Sequence, residues 1–227
     1  AAAARQFDQR MEAVKAFVRA NAIDRVVFGG RGKRRLGIVT SGKATLDVLE
    51  ALRALGLDGA KAAAAGIGLY KLGMTWPIEP VGLRDFIEGC AEVLVVEEKR
   101  AVIEEQIAHL LFNLPADRRP VLTGKRCTSG APLISQVGEL NPALVLRAIR
   151  SRLLAAADLD EGLKARIGSV NTDIAAADVI ASAGGLARSP SFCAGCPHNT
   201  STNVPDGSVA MGGIGGHGLA TWLPERR

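Results

Sequence analysis

From Arg35 to Arg126 short aliphatic runs alternate with segments of helical period, and few folds accept that alternation. The segment "RLGIVTSG" reads as a strand, followed by "ATLDVLEALRALGL", whose apolar residues recur at helical spacing, with Gly56 placed as a helix stop. "GIGLYKLGMTWPIEP" is a strand running into a proline-rich turn, "VGLRDFIEGC" a helix with Cys90 at its end, and "AEVLVVEEKR" a buried strand. "AVIEEQIAHLLFNL" and "RRPVLTGKR" add a helix and a last short strand. Strands that read as continuous aliphatic runs belong to parallel sheets covered on both faces. The expected fold class is therefore α/β, a mostly parallel three-layer sheet.

Composition agrees. The chain has 227 residues, 48% of them hydrophobic and only 4% aromatic, which suits aliphatic packing between helices and sheet. No apolar run reaches the about 18–20 residues that span a bilayer, so no membrane partner is expected. The formal charge of +5 is modest and spread, apart from "RGKRR" at 31–35, and aromatic residues are not interleaved with it, so no nucleic acid is expected either. The spacing of the four cysteines, Cys90, Cys127, Cys193 and Cys196, is not that of a disulfide framework, which fits a reducing, cytoplasmic location.

Around this alternation the chain divides into residues 1–33, a helical lead-in, 34–128, the α/β domain, 129–185, a connector, and 186–227, the start of a second domain. Within the connector, "GELNPALVLRAIRSRLL" is a helix with Asn141 as N-cap and Pro142 at its first position. The small-residue-rich stretch after it reads as irregular. In α/β sheets ligands gather at the carboxyl ends of strands. "GIVTSGKAT" stands at such an end, but Ala44 follows Lys43 where a phosphate-binding loop needs Ser or Thr. It reads instead as a strand-to-helix turn capped by Thr40 or Ser41. Glu97 and Glu98 read as a charged strand terminus, His109 as a helix residue without a role, and Cys127 as a loop thiol.

Most of the chemistry-bearing residues lie in the last 37 residues, "SFCAGCPHNTSTNVPDGSVAMGGIGGHGLATWLPERR". Cys193 and Cys196 form a CxxC that suits a redox dithiol, half of a zinc site completed by His198 and His217, or half of an iron–sulfur site. Gly213, Gly215 and Gly218 match GxGxxG, between an expected short strand and a short helix, where backbone can approach an anion the size of a diphosphate.

These residues carry a resemblance. "RSPSFCAGCPHNTSTNVPDGSVAMGGIGGHGLATW" resembles the start of the diphosphate-binding domain of the indolepyruvate ferredoxin oxidoreductases, which are thiamine diphosphate-dependent 2-oxoacid:ferredoxin oxidoreductases. "RLGIVTSGKATLDVLEALRALGL", "LYKLGMTWPIEP" and "VLVVEEKRAVIEEQI" resemble the preceding transketolase C-terminal-like domain of that family. The resemblance implies an internal piece of a longer enzyme that oxidatively decarboxylates 2-oxoacids of the indolepyruvate or arylpyruvate type to acyl-CoA and passes electrons to ferredoxin. It implies thiamine diphosphate, Mg2+ and a [4Fe-4S] cluster as cofactors. Its implied partners are ferredoxin, coenzyme A, the 2-oxoacid, the remaining domains or subunits, and a second copy in a homo-oligomer. By match, Cys193 and Cys196 would be cluster thiolates, and His198, Asn199, Gly213, Gly215, Gly216 and His217 would lie near the cofactor. The family pattern is GIGCH where this chain has GIGGH, so Gly216 stands where a third thiolate is expected. The rival readings are a zinc-stabilised binding module and a catalytically silent assembly domain.

Overall fold

The computed structural model describes residues 2–30, 32–156, 158–170, 190–223 and 226. The chain divides into two compact units, 1–173 and 174–227.

In the first unit, Ala2–Ala4 and a π-helical stretch, Arg5–Arg10, run into helix α1 (Met11–Ala20). Strand β1 (Arg25–Phe28) follows, then β2 (Arg34–Ser41), α2 (Ala44–Ala54), α3 (Gly59–Ala64), β3 (Ile67–Leu72), α4 (Pro80–Ile87), β4 (Cys90–Val96), α5 (Val102–Phe112), β5 (Val121–Thr123), α6 (Pro142–Ala155) and α7 (Glu161–Ser169). The five strands form one sheet in the order β1-β3-β2-β4-β5. Strands β3, β2, β4 and β5 are parallel, as expected from their aliphatic runs, and β1 joins the edge antiparallel to β3. The piece "DRVVFGG" thus enters the sheet, with Asp24 accepting hydrogen bonds from the amides of Gly73 at 2.7 Å and Met74 at 3.1 Å just beyond β3.

Alternation along β2 sorts the core onto two faces. Leu36 and Ile38 point into a cluster with Val48 and Leu52 of α2 and Val145 and Ile149 of α6, while Val39 points into a cluster with Leu83 and Phe86 of α4 and Ile103 and Ile107 of α5. Each such residue, once fully buried, contributes roughly 1.5–3 kcal/mol. Helices on both faces make the three layers. Helix α6, whose Asn141 side chain accepts from Leu144 N at 2.9 Å at its N-cap, packs directly on α2. Residues 161–169, read from the sequence as irregular, form a helix capped by Asp160, which accepts from Leu163 N at 2.9 Å. Residues 171–189 of that stretch lie outside the described residues.

Two local expectations are corrected. Cys90 does not end a helix: α4 stops at Ile87 and Cys90 opens β4, buried in the core. Its sulfur sits against Gly37, where a β-carbon would stand 2.6 Å away, so a side chain at position 37 would have to displace it. Nor is α2 capped by Thr40 or Ser41. The N-cap position is Lys43, without a side-chain cap, because Thr40 belongs to β2 and its buried hydroxyl has no partner.

Among the described residues no helix is long and apolar enough to cross a membrane.

Candidate functional site

At the carboxyl ends of the strands the first unit is filled by its own chain. Glu97 caps α5, its carboxylate accepting from Ile103 N at 2.8 Å and Glu104 N at 3.0 Å. Burial raises the Glu97 carboxyl above the ordinary carboxylate range. Lys125, also buried, donates to the carbonyl of Glu97 at 2.5 Å, and burial lowers its ammonium below 10.5 against the opposing pull of Glu97, Glu104 and Glu98. Lys43 donates to Asp47 at 3.0 Å and to the Leu140 carbonyl at 2.6 Å, and Lys99 to the Gly138 carbonyl at 2.6 Å. The loop before α6 is thereby strapped across the strand ends. Lys43, Glu97 and Glu98 hold structure there, and His109 is exposed on α5.

The second unit holds the residues singled out in the tail. Cys193 to Cys196 form a tight turn, with Cys196 N donating to the Cys193 carbonyl at 3.0 Å. Asn199 reinforces it, its Nδ2 donating to that same carbonyl at 3.0 Å. The short helix α8 (His198–Ser201) follows directly, held by Thr202 Oγ1 donating to the His198 carbonyl at 2.6 Å. The Cys196 sulfur lies 3.2 Å from Nδ1 of His198. The His198 ring stacks on Phe192 with centroids 5.3 Å apart, and the His217 ring is tilted against it at 6.5 Å.

The glycines have a reason the sequence did not disclose. A β-carbon at Gly213 would lie 3.3 Å from His217 Nε2, one at Gly215 2.9 Å from His217 Cε1, and one at Gly216 2.8 Å from His198 Cε1. The turn lacks side chains where the two imidazoles need the room. No strand precedes it: residues 208–213 are irregular, and a 3-10 helix, Gly216–Trp222, follows.

Beside this turn is a cleft of about 620 Å³, lined by His198, Ser201, Thr202, Met211, His217 and Arg226 among others. Asn199, Gly213, Gly215, Gly216, Cys193 and Cys196 stand outside its lining, so the structure brings only the two histidines of the expected set to it. Arg226, which sequence reasoning passed over, carries the strongest signal: its Nε and Nη1 are buried and have no hydrogen-bond partner. Two buried guanidinium nitrogens without partners are costly, and an anion relieves that cost. Its position after a glycine-rich turn is the only sequence cue.

The donor set answers the cofactor expectations differently. Hydroxyls, imidazoles and the two unpartnered nitrogens of Arg226 fit a diphosphate. Among the described residues no carboxylate lines the cleft, so none of those side chains suits Mg2+. A [4Fe-4S] cluster takes four ligands. Cys193 and Cys196 supply two, Gly216 supplies none, and among the described residues no three His, Cys, Asp or Glu side chains converge on a point. These residues do not fit the cluster.

Comparison with known proteins now bears on the whole. Residues 25–177, from β1 through α7 and beyond, match the indolepyruvate oxidoreductase domain family. The chain belongs to that family. Among indolepyruvate oxidoreductase relatives, subunit IorA of Methanothermobacter thermautotrophicus is 31% identical over 76% of this chain and 23% of its own length. Subunit IorA of Methanothermobacter marburgensis is 35% identical over 45% of this chain and 15% of its own. This indolepyruvate oxidoreductase family member therefore spans less than a quarter of the relatives it matches. A solved 2-oxoglutarate:ferredoxin oxidoreductase from Magnetococcus marinus, with 2-oxoglutarate, coenzyme A and succinyl-CoA bound, aligns at a TM-score of 0.36 and 20% identity, covering 57% of this chain and 19% of that one.

Proposed function

We propose that this chain is a segment of a 2-oxoacid:ferredoxin oxidoreductase of the indolepyruvate type. Residues 34–128 form its transketolase C-terminal-like domain, with 1–33 leading in, 129–185 connecting, and 186–227 opening the diphosphate-binding domain. The whole enzyme oxidises an arylpyruvate, passes the acyl group to coenzyme A and the electrons to ferredoxin, and works in the cytoplasm as an oligomer with its remaining domains or subunits. Thiamine diphosphate, when bound, supplies the means of breaking the bond to the carboxylate. The family match over 25–177 supports the enzyme class.

The observation that carries the site is Arg226, its Nε and Nη1 left without partners at the cleft that His198 and His217 line. In this reading Arg226 pairs with the diphosphate, the hydroxyl of Ser201 donates to it, and the imidazoles wall the cleft. Asn199 and the glycines at 213, 215 and 216 act indirectly: Asn199 holds the cysteine turn and the glycines seat the imidazoles.

The test is coenzyme A-dependent ferredoxin reduction by the full-length protein, supplied with indolepyruvate, phenylpyruvate or 2-oxoglutarate and titrated with thiamine diphosphate. Activity should favour the aryl substrates. Arg226→Ala should raise the thiamine diphosphate concentration for half-activity by about tenfold or more, as for loss of a charged hydrogen bond. Reduction with none of the substrates would refute the enzyme class. An unchanged thiamine diphosphate requirement in Arg226→Ala would refute the cleft.

A further inference from the structure

The mismatch between this tail and a four-thiolate cluster leaves two thiols in an arrangement with chemistry of its own. Cys193 and Cys196 occupy the first and last positions of a hydrogen-bonded turn, closed by Cys196 N to Cys193 O at 3.0 Å and braced by Asn199 Nδ2 on the same carbonyl at 3.0 Å. Such a turn keeps its terminal Cα atoms within about 7 Å, and a disulfide spans about 4.4–6.8 Å. Both thiols are free. They differ in access and in neighbours: Cys193 is exposed, whereas Cys196 is half-buried with its sulfur 3.2 Å from Nδ1 of His198. The His198 ring is itself held by stacking on Phe192 at 5.3 Å and by the missing side chain at Gly216.

We propose that Cys193 and Cys196 form a redox-active dithiol that exchanges two electrons with a small-molecule disulfide such as oxidised glutathione, with His198 positioned to take the proton of the second thiol. The exposed Cys193 sulfur attacks the disulfide, and one glutathione leaves carrying the Cys193 proton. A mixed disulfide remains at Cys193. The Cys196 sulfur then attacks the Cys193 sulfur as its proton passes to Nδ1 of His198. The bond between Cys193 and the second glutathione breaks, and that glutathione leaves, recovering the proton from the imidazole. The dithiol loses two electrons and two protons, and oxidised glutathione becomes two molecules of the thiol. This inference stands on the turn and its neighbours and does not depend on the oxidoreductase reading.

The experiment uses the whole 227-residue chain, prepared anaerobically and analysed for iron, sulfide and zinc. It is then exposed to oxidised glutathione, quenched in acid, and mapped by differential alkylation and mass spectrometry. The expected product is an intramolecular disulfide linking Cys193 to Cys196. Cys90, buried in the core, should stay reduced, and Cys127 should carry at most a mixed disulfide. Cys196→Ser should trap glutathione on Cys193. His198→Gln should slow closure of the ring by about tenfold or more, in line with loss of a positioned proton acceptor, so that the mixed disulfide at Cys193 accumulates. Independent glutathione adducts on both cysteines of the wild type would overturn the proposal. So would near-stoichiometric iron or zinc that protects the two cysteines from alkylation. Unchanged closure in His198→Gln would overturn the role of the imidazole.

Discussion

The ring of His198 occupies the space that any side chain at Gly216 would enter: a β-carbon there would stand 2.8 Å from Cε1 and 3.5 Å from Nδ1 of the imidazole. That same Nδ1 lies 3.2 Å from the Cys196 sulfur. Position 216 and Cys196 thus meet on one imidazole, and the residue at 216 decides whether that ring or a third sulfur stands beside the CxxC turn. Gly216→Cys should push the ring away and complete a set of three thiols. After anaerobic reconstitution with ferrous iron and sulfide, the variant should hold several times more iron per chain than the wild type, because thiolates are what a cluster takes. Equal loading would show that the donor set does not fail at this position.

Gly37 and Cys90 meet across β2 and β4. A β-carbon at Gly37 would lie 2.6 Å from the Cys90 sulfur and 3.2 Å from Cε1 of Phe86. Gly37→Ala should therefore destabilise the first unit by about 1–3 kcal/mol, the usual cost of overpacking. Adding Cys90→Ala should recover most of the loss by removing the sulfur. Denaturant unfolding of the two single variants and the double variant measures this coupling, and strictly additive losses would contradict it.

Arg152 of α6 holds Glu92 of β4 by two hydrogen bonds, Nε to Oε1 at 2.6 Å and Nη2 to Oε2 at 3.0 Å, in a site where Thr123 also donates to Glu92 at 2.6 Å. Both charged side chains are nearly buried, at 12% and 14% exposure, so removing one strands the other. Arg152→Ala should cost about 3 kcal/mol. Arg152→Lys should recover little of it, because an ammonium cannot reproduce the two parallel bonds. Full rescue by lysine would mean that charge alone holds this contact.

Lys125 gives the first unit a pH signature. Its folded-state value is depressed below 10.5 by burial, so the unfolded chain holds that proton more tightly than the folded one. The group therefore penalises folding below its folded value, and the penalty disappears as the pH rises through that value toward 10.5. Lys125→Met lacks this group. The melting temperature of the wild type should thus gain on that of Lys125→Met as the pH is raised from neutrality into the alkaline range. A constant difference between the two would mean that the ammonium is not desolvated.

The legibility of the fold followed the range of the interactions. Helices α2, α5 and α6 and the parallel strands were readable because apolar period and caps such as Asn141 are local properties. Strand β1 was not, since four residues pairing at an edge carry too little period to separate a strand from a loop. Cys90 was placed on the wrong element because an apolar run cannot show where α4 stops and β4 begins. In the tail the residue types were legible, and their assembly was not: Arg226 showed itself only through two nitrogens left without partners.

The order of residues alone determined the α/β class, the parallel core strands and the concentration of thiols, imidazoles and glycines near the C-terminus, because each is set by residues close together along the chain. Only the tertiary structure decided that β1 joins β3, that α6 packs on α2, that Glu97 and Lys43 serve the fold, and that His198 sits between Cys196 and Gly216. Those outcomes depend on which distant surfaces exclude water together and which side chains then have room. The pairing of β1 with β3, the packing of α6 on α2, and the contacts of Lys43 with Leu140 and of His198 with Gly216 each join stretches far apart in sequence, so no short stretch contains both partners.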